Sequence, residues 1–214
     1  MKIKQINKIQ HSSKRYDISV KKNSNFFANN MLVHNCSLTN DRTYARSLDT
    51  DKHPSRDWVK NFWAQYIAYQ DKIPQGWRVC GENMYAKHSI HYTKETALDT
   101  YFEMFSIWND ENVCLSWDET EEWSELLDIK LVPVLYKGVW DMDVIEDLNK
   151  RIDVMNKDIV QIEGYVVRLA REYHYSEFRN VCGKYVRANH VHNHGKTIHW
   201  KNNWIKNDLK PGLK

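Results

Sequence analysis

Four segments in the second part of this chain, residues 78–85, 101–108, 163–168 and 183–188, are short and dense in aromatic and β-branched side chains. Such side chains fit a pleated, half-buried surface whose two faces alternate along the chain, so each run predicts a strand. A sheet has to bury its apolar face against another layer, and three helical patterns supply one. Pro54 opens a segment in which Trp58, Phe62, Trp63, Tyr66 and Ile67 recur at helical spacing, the stripe expected of a core-facing helix. A second helix is expected from Asp118, with Glu121 three residues on as a capping pattern, and a third over about 142–155. The predicted class is α+β: a mixed, largely antiparallel sheet flanked by helices.

The opening of the chain has another texture. Residues 1–36 are rich in Asn and Lys, with strand-like runs at 16–20 and 26–33 around a turn-prone 21–24, and they predict a compact β unit.

Composition narrows the function classes. At 42% hydrophobic content, 214 residues suffice for one ordinary domain, or one domain with a small appendage. Lys and Arg number 31 against 28 Asp and Glu, a net charge of +3 that gives only weak support for a nucleic-acid partner. Nine Trp could stack on bases, but large aromatic anchors more often serve packing, the role expected of Trp117, Trp123 and Trp140. Cys36, Cys80, Cys114 and Cys182 form no close pair and no leader pattern opens the chain, which predicts a reducing cytoplasm and no disulfide framework. No apolar run approaches the length of about 18 residues that crosses a bilayer, so no membrane partner is expected.

The junction between the two textures carries chemistry. The runs Tyr16-Asp17-Ile18-Ser19-Val20 and Asn25-Phe26-Phe27-Ala28-Asn29, closed by Val33-His34-Asn35-Cys36, resemble the C-terminal blocks of inteins. An Asn amide that attacks its own carbonyl cuts the following peptide bond, and a neighbouring His can donate the proton the leaving amine needs. The next residue must offer a thiol or hydroxyl to carry the branched intermediate. The resemblance therefore implies that Asn35 cyclises, His34 assists, Cys36 is the nucleophile, and Asp17 belongs to the block that activates the junction. Ser24 stands where the family often places a His. Residues 1–35 are then expected to be the β-rich C-terminal fragment of a split intein, of the HINT fold, which splices without a cofactor. The resemblance also implies a separate N-terminal fragment as the expected partner, since the upstream intein blocks do not occur in this sequence.

Residues 36–214 resemble something else. Arg78-Val79-Cys80-Gly81-Glu82-Asn83, Tyr101-Phe102-Glu103-Met104-Phe105, Glu163-Gly164-Tyr165-Val166-Val167-Arg168 and Gly183-Lys184-Tyr185-Val186-Arg187 are similar, in order and spacing, to blocks of the covalent nucleotidyltransferases. The likeness is greatest to ATP-dependent RNA ligases of the phage type. It implies that Glu82 contacts the nucleotide ribose and that an aromatic ring stacks on adenine, Phe102 first and Phe105 second. It implies further that Glu163 organises a divalent ion, and that Lys184 and Arg187 grip phosphates. Arg46, in Arg42-Thr43-Tyr44-Ala45-Arg46-Ser47, resembles the Arg that recognises a phosphate just downstream of the nucleophile. No Lys-x-Asp-Gly block, which carries that nucleophilic lysine in the family, occurs in the chain.

Together the two resemblances imply a precursor whose ligase half, 36–214, is a partial adenylation domain joined by trans-splicing to the half that holds the lysine. The product would use ATP and Mg²⁺ or Mn²⁺ to seal RNA, in a nicked duplex for instance, through a lysyl-AMP intermediate, in the cytoplasm of a phage-infected bacterium. A DNA ligase or capping-type enzyme on the same scaffold, and a non-catalytic nucleic-acid-binding module, are the competing readings. His190, His192, His194 and His199 lack a matching set of Cys and are read as a phosphate-contacting or solvated tail rather than a zinc site.

Overall fold

The computed structural model describes residues 36–44, 53–67, 73–87, 90–155, 162, 164–186 and 204–213, and the strand backbone at 6–9, 15–18, 27–28 and 31–32. At the front, β1 (Ile6–Ile9) pairs antiparallel with β2 (Arg15–Ile18), with Asn7 opposite Asp17. The expected single strand over 26–33 is instead a small hairpin, β3 (Phe27–Ala28) with β4 (Met31–Leu32). The sequence between the two is Asn29-Asn30, residue types that favour turns over strands.

The body of the fold is a sheet of six strands among the described residues, in the order β11-β9-β8-β7-β5-β6 and antiparallel throughout. Its strands are β5 (Cys36–Thr39), β6 (Thr43–Tyr44), β7 (Arg78–Asn83), β8 (Phe102–Trp108), β9 (Val113–Cys114) and β11 (Tyr173–His174). β10 (Gly164–Arg168) and β12 (Cys182–Val186) form a separate antiparallel pair.

The alternation of side chains divides the large sheet into two packed faces. One carries Cys36, Leu38, Val79, Phe102, Met104 and Ile107 and meets Val59 and Trp63 of α1 (Pro54–Ile67) and Leu127 of α2 (Trp117–Leu127). Leu38, Val59, Val79, Phe102, Met104 and Ile107 are fully buried, each worth about 1.5–3 kcal/mol relative to exposure. The other face carries Cys80, Trp108 and Cys114 and packs on Tyr173 and Phe178, the latter opening α4 (Phe178–Val181). α3 (Met142–Met155) spans the expected range and buries Leu148 and Ile152.

α2 departs from expectation at its start. Ser116, not Asp118, is the cap: its hydroxyl accepts from the Glu119 N–H, and Glu119 Oε2 accepts in return from the Ser116 N–H at 2.9 Å. That register buries Trp117, Thr120, Ser124 and Leu127 along one face, and a register begun at Asp118 would leave Trp117 outside the helix.

Candidate active site

Strand β7 organises the site. Between Cys80 and Gly81 its register with β8 shifts by a bulge, which leaves Phe105 without a partner and sets Glu82 directly opposite Glu103. Two carboxylates side by side repel, and Glu103, 8% exposed, is offset by Lys130, whose Nζ lies 3.1 Å from Glu103 Oε1. Lys130 also reaches Asp99 at 2.6 Å, and Lys210 meets the other Asp99 oxygen at 2.6 Å. Hydrogen bonds from these two lysines hold the Asp99 carboxyl down at about 2. Glu103 had no role in the sequence reading. A lone acidic residue inside the apolar run Phe102–Trp108 was the available signal.

Gly81 lets β7 and β8 close. A Cβ at this position would lie 2.6 Å from the Glu103 carbonyl oxygen and 2.7 Å from Phe102 Cε1. Phe102 is thus wedged beneath Gly81, with Phe62 on it at a ring-centroid distance of 5.4 Å, and is 0% exposed. A ring so enclosed has no open face for adenine in this arrangement. Phe105, on the bulge, is half-buried against the Cys80 cluster.

Cys36 begins β5 opposite Gly81, with Ser37 opposite Cys80 and Leu38 opposite Val79. It is 4% exposed, and burial together with the Glu82 charge pushes its thiol up to about 12. A thiol so placed stays protonated at neutral pH.

Arg168 ties the β10–β12 pair to the Cys80 face. It donates to the carbonyls of Phe105 at 3.2 Å and Leu115 at 2.9 Å, and its guanidinium lies over the rings of Trp117 and Tyr173 at 5.6 and 5.4 Å. Lys184, exposed on β12, is paired with Val166. Asp17 lies in β2, apart from the sheet that holds Cys36, and its side chain lies outside the described residues. His34, Asn35, Arg46, Glu163 and Arg187, and the histidines at 190, 192, 194 and 199, also fall outside them. Among the described residues, no group of three His, Cys, Asp or Glu is placed to hold a metal ion. No helix among them is long and apolar enough to cross a membrane.

A profile of the RNA ligase family matches residues 18–186, well over half of the sequence. This chain belongs to the RNA ligase family. The matched span of this ligase-family chain takes in β5 to β12 with the helices between them, so the paired strands that carry Glu82, Glu103 and Lys184 all lie inside it. It begins at Ile18, inside the segment 1–35 read from sequence as an intein fragment, and it stops short of Arg187 and of residues 204–213. Neither a curated protein nor a solved structure matches the chain.

Proposed function

We propose that this RNA ligase-family chain is one half of an ATP-dependent RNA ligase, and that residues 1–35, as a split-intein fragment, join it through Cys36 to the half that carries the adenylylated lysine. The observation that carries this reading is the direction of the β5–β7 ladder. Thr39 pairs with Arg78 and Cys36 with Gly81, so the ladder advances toward Glu82 as β5 is followed back toward its start. A residue joined ahead of Cys36 by splicing is therefore delivered to the Glu82 end of the sheet. A nucleophile supplied there meets a carboxylate already seated, and proximity of this kind removes much of the entropic barrier to attack on a bound nucleotide.

In the spliced product the lysine attacks the α-phosphate of ATP, a phosphoramidate forms, and pyrophosphate leaves. AMP then passes to an RNA 5′-phosphate, and the neighbouring 3′-hydroxyl displaces it to close the strand. Glu82 holds the ribose; Lys184 and Arg187 offset the phosphate charge. RNA ligases generally use ATP and a divalent ion. The Glu163 carboxylate is a hard oxygen donor of the type Mg²⁺ or Mn²⁺ prefers, and the ion would screen the phosphates. Phe105, beside the bulge, fits base stacking better than the enclosed Phe102.

The test uses the spliced product and ATP labelled at the α-phosphate. Covalent label on the protein, lost on Glu163→Ala while salt-sensitive RNA binding persists, supports a ligase; binding without label in either protein supports a non-catalytic module. Preference for an all-DNA nick over nicked RNA would replace the RNA substrate.

A further inference from the structure

Residues 204–213 lie beyond the matched span, yet they hold one of the most deeply buried polar side chains among the described residues. Asn207 is 2% exposed. Its Nδ2 donates to the Met84 carbonyl at 2.8 Å, and its Oδ1 accepts from the Tyr92 N–H at 3.0 Å. Its own N–H donates to the Tyr85 carbonyl at 3.0 Å, and its carbonyl accepts from the Tyr101 hydroxyl at 2.7 Å. One residue thus ties the start of the excursion that leaves β7, at Met84 and Tyr85, to Tyr92 within it and to Tyr101 at its far end, beside the start of β8. Buried amides are seated this thoroughly where the backbone around them has to adopt a single arrangement.

The neighbours of Asn207 extend the clip. The Lys87 N–H donates to the Ile205 carbonyl at 2.7 Å, and Leu98 exchanges hydrogen bonds with Asp208 and Lys210 at 2.9 Å each. Lys206 Nζ lies 5.1 Å from the Tyr85 ring centroid and 5.3 Å from that of Tyr101. Trp204 stacks on Tyr85 at 5.8 Å.

The clip closes on the exit of the strand that bears Glu82. Met84 follows that strand directly, and it is held on both sides: its N–H donates to the Tyr101 carbonyl at 2.7 Å, and its carbonyl accepts from Asn207. From this juxtaposition we infer that Asn207 is a positioning residue for nucleotide binding, fixing the end of β7 so that Glu82 is presented to the ribose of ATP. The inference rests on the ligase reading of Glu82.

The experiment measures initial rates of lysyl-AMP formation against ATP concentration in the spliced protein. Asn207→Asp keeps the oxygen that accepts from Tyr92 and removes the donor to Met84; Asn207→Ala removes both. Each is expected to raise the KM for ATP about tenfold while the maximal rate changes less than about threefold, the pattern of lost substrate binding. A tail that serves stability alone lowers the maximal rate through the folded fraction and leaves KM where it was. Tyr101→Phe removes only the hydroxyl bond to the Asn207 carbonyl and decides the matter should the Asn207 variants not fold: a KM raised about two- to threefold supports the inference, and an unchanged KM overturns it. Covalent labelling with KM unchanged in all three variants overturns the role of Asn207 alone. No labelling of the unsubstituted protein overturns the ligase reading and the inference with it.

Discussion

Cys36 sits opposite Gly81 in the β5–β7 ladder, and its side chain belongs to the same buried cluster as Phe102 and Trp63. The proposed splice junction is therefore a core position of the ligase fold. Docked β5 shields the Cys36 thiol, so under the proposed splicing, folding of the ligase half and chemistry at the junction would compete for one strand.

Loosening that strand should speed splicing. Val79 is fully buried and pairs with Leu38 of β5, so Val79→Ala opens a cavity under the strand. The expected cost is about 1–3 kcal/mol of stability, read from urea unfolding. The same variant should splice faster with its N-terminal partner, measured by gel densitometry. A slower reaction would mean that docked β5 assists the junction.

The buried thiol also sets a pH dependence. Cys36 rises from an ordinary value of 9.0 to about 12 in the fold, so the folded state holds the proton more tightly than the unfolded chain. Below about pH 9 the thiol is protonated in both states and costs nothing. Between about pH 9 and 12 stability should fall by up to about 1.4 kcal/mol per pH unit from this group. Cys36→Ser should flatten that limb in denaturant titrations, and an unchanged limb would assign it to other groups.

Gly81 is closed to substitution. A methyl group there meets the Phe102 ring and the Glu103 carbonyl, so Gly81→Ala should cost about 1–3 kcal/mol by overpacking. Pairing Gly81→Ala with Phe102→Leu, which withdraws the ring, should recover part of the loss. Additive losses in that double-mutant cycle would show that the two sites do not touch.

Arg168 should hold the two sheets together. Arg168→Met keeps an apolar stem but leaves the carbonyls of Phe105 and Leu115 without its hydrogen bonds. A loss of about 1–3 kcal/mol is expected, with faster amide exchange in β10 and β12 than in β7. Uniform exchange would contradict the bridging role.

How much of this was legible in the sequence depends on the kind of signal. The helix from Pro54 and the strand at Phe102–Trp108 follow from local periodicity, and they stand where expected. The start of α2 is not decided by local sequence, because two overlapping patterns, Ser116 with Glu119 and Asp118 with Glu121, both suit a cap, and only the burial of Trp117 chooses between them. The bulge at Cys80 and Gly81 has no local signature. It decides that Glu82 faces Glu103 and that Phe105, not Phe102, keeps a partly open ring. Asn207 lay in a tail of ordinary polar composition, and its importance comes from partners more than a hundred residues away in sequence.

The most direct measurement is to mix the chain with its N-terminal intein–ligase partner, add ATP and Mg²⁺, and weigh the products by intact-mass spectrometry. The account predicts a ligated species that lacks residues 1–35 and gains the mass of one AMP, with neither change when the chain is incubated alone. Covalent AMP on the isolated 214-residue chain, or a mixture in which residues 1–35 stay attached while ligase activity appears, would contradict it.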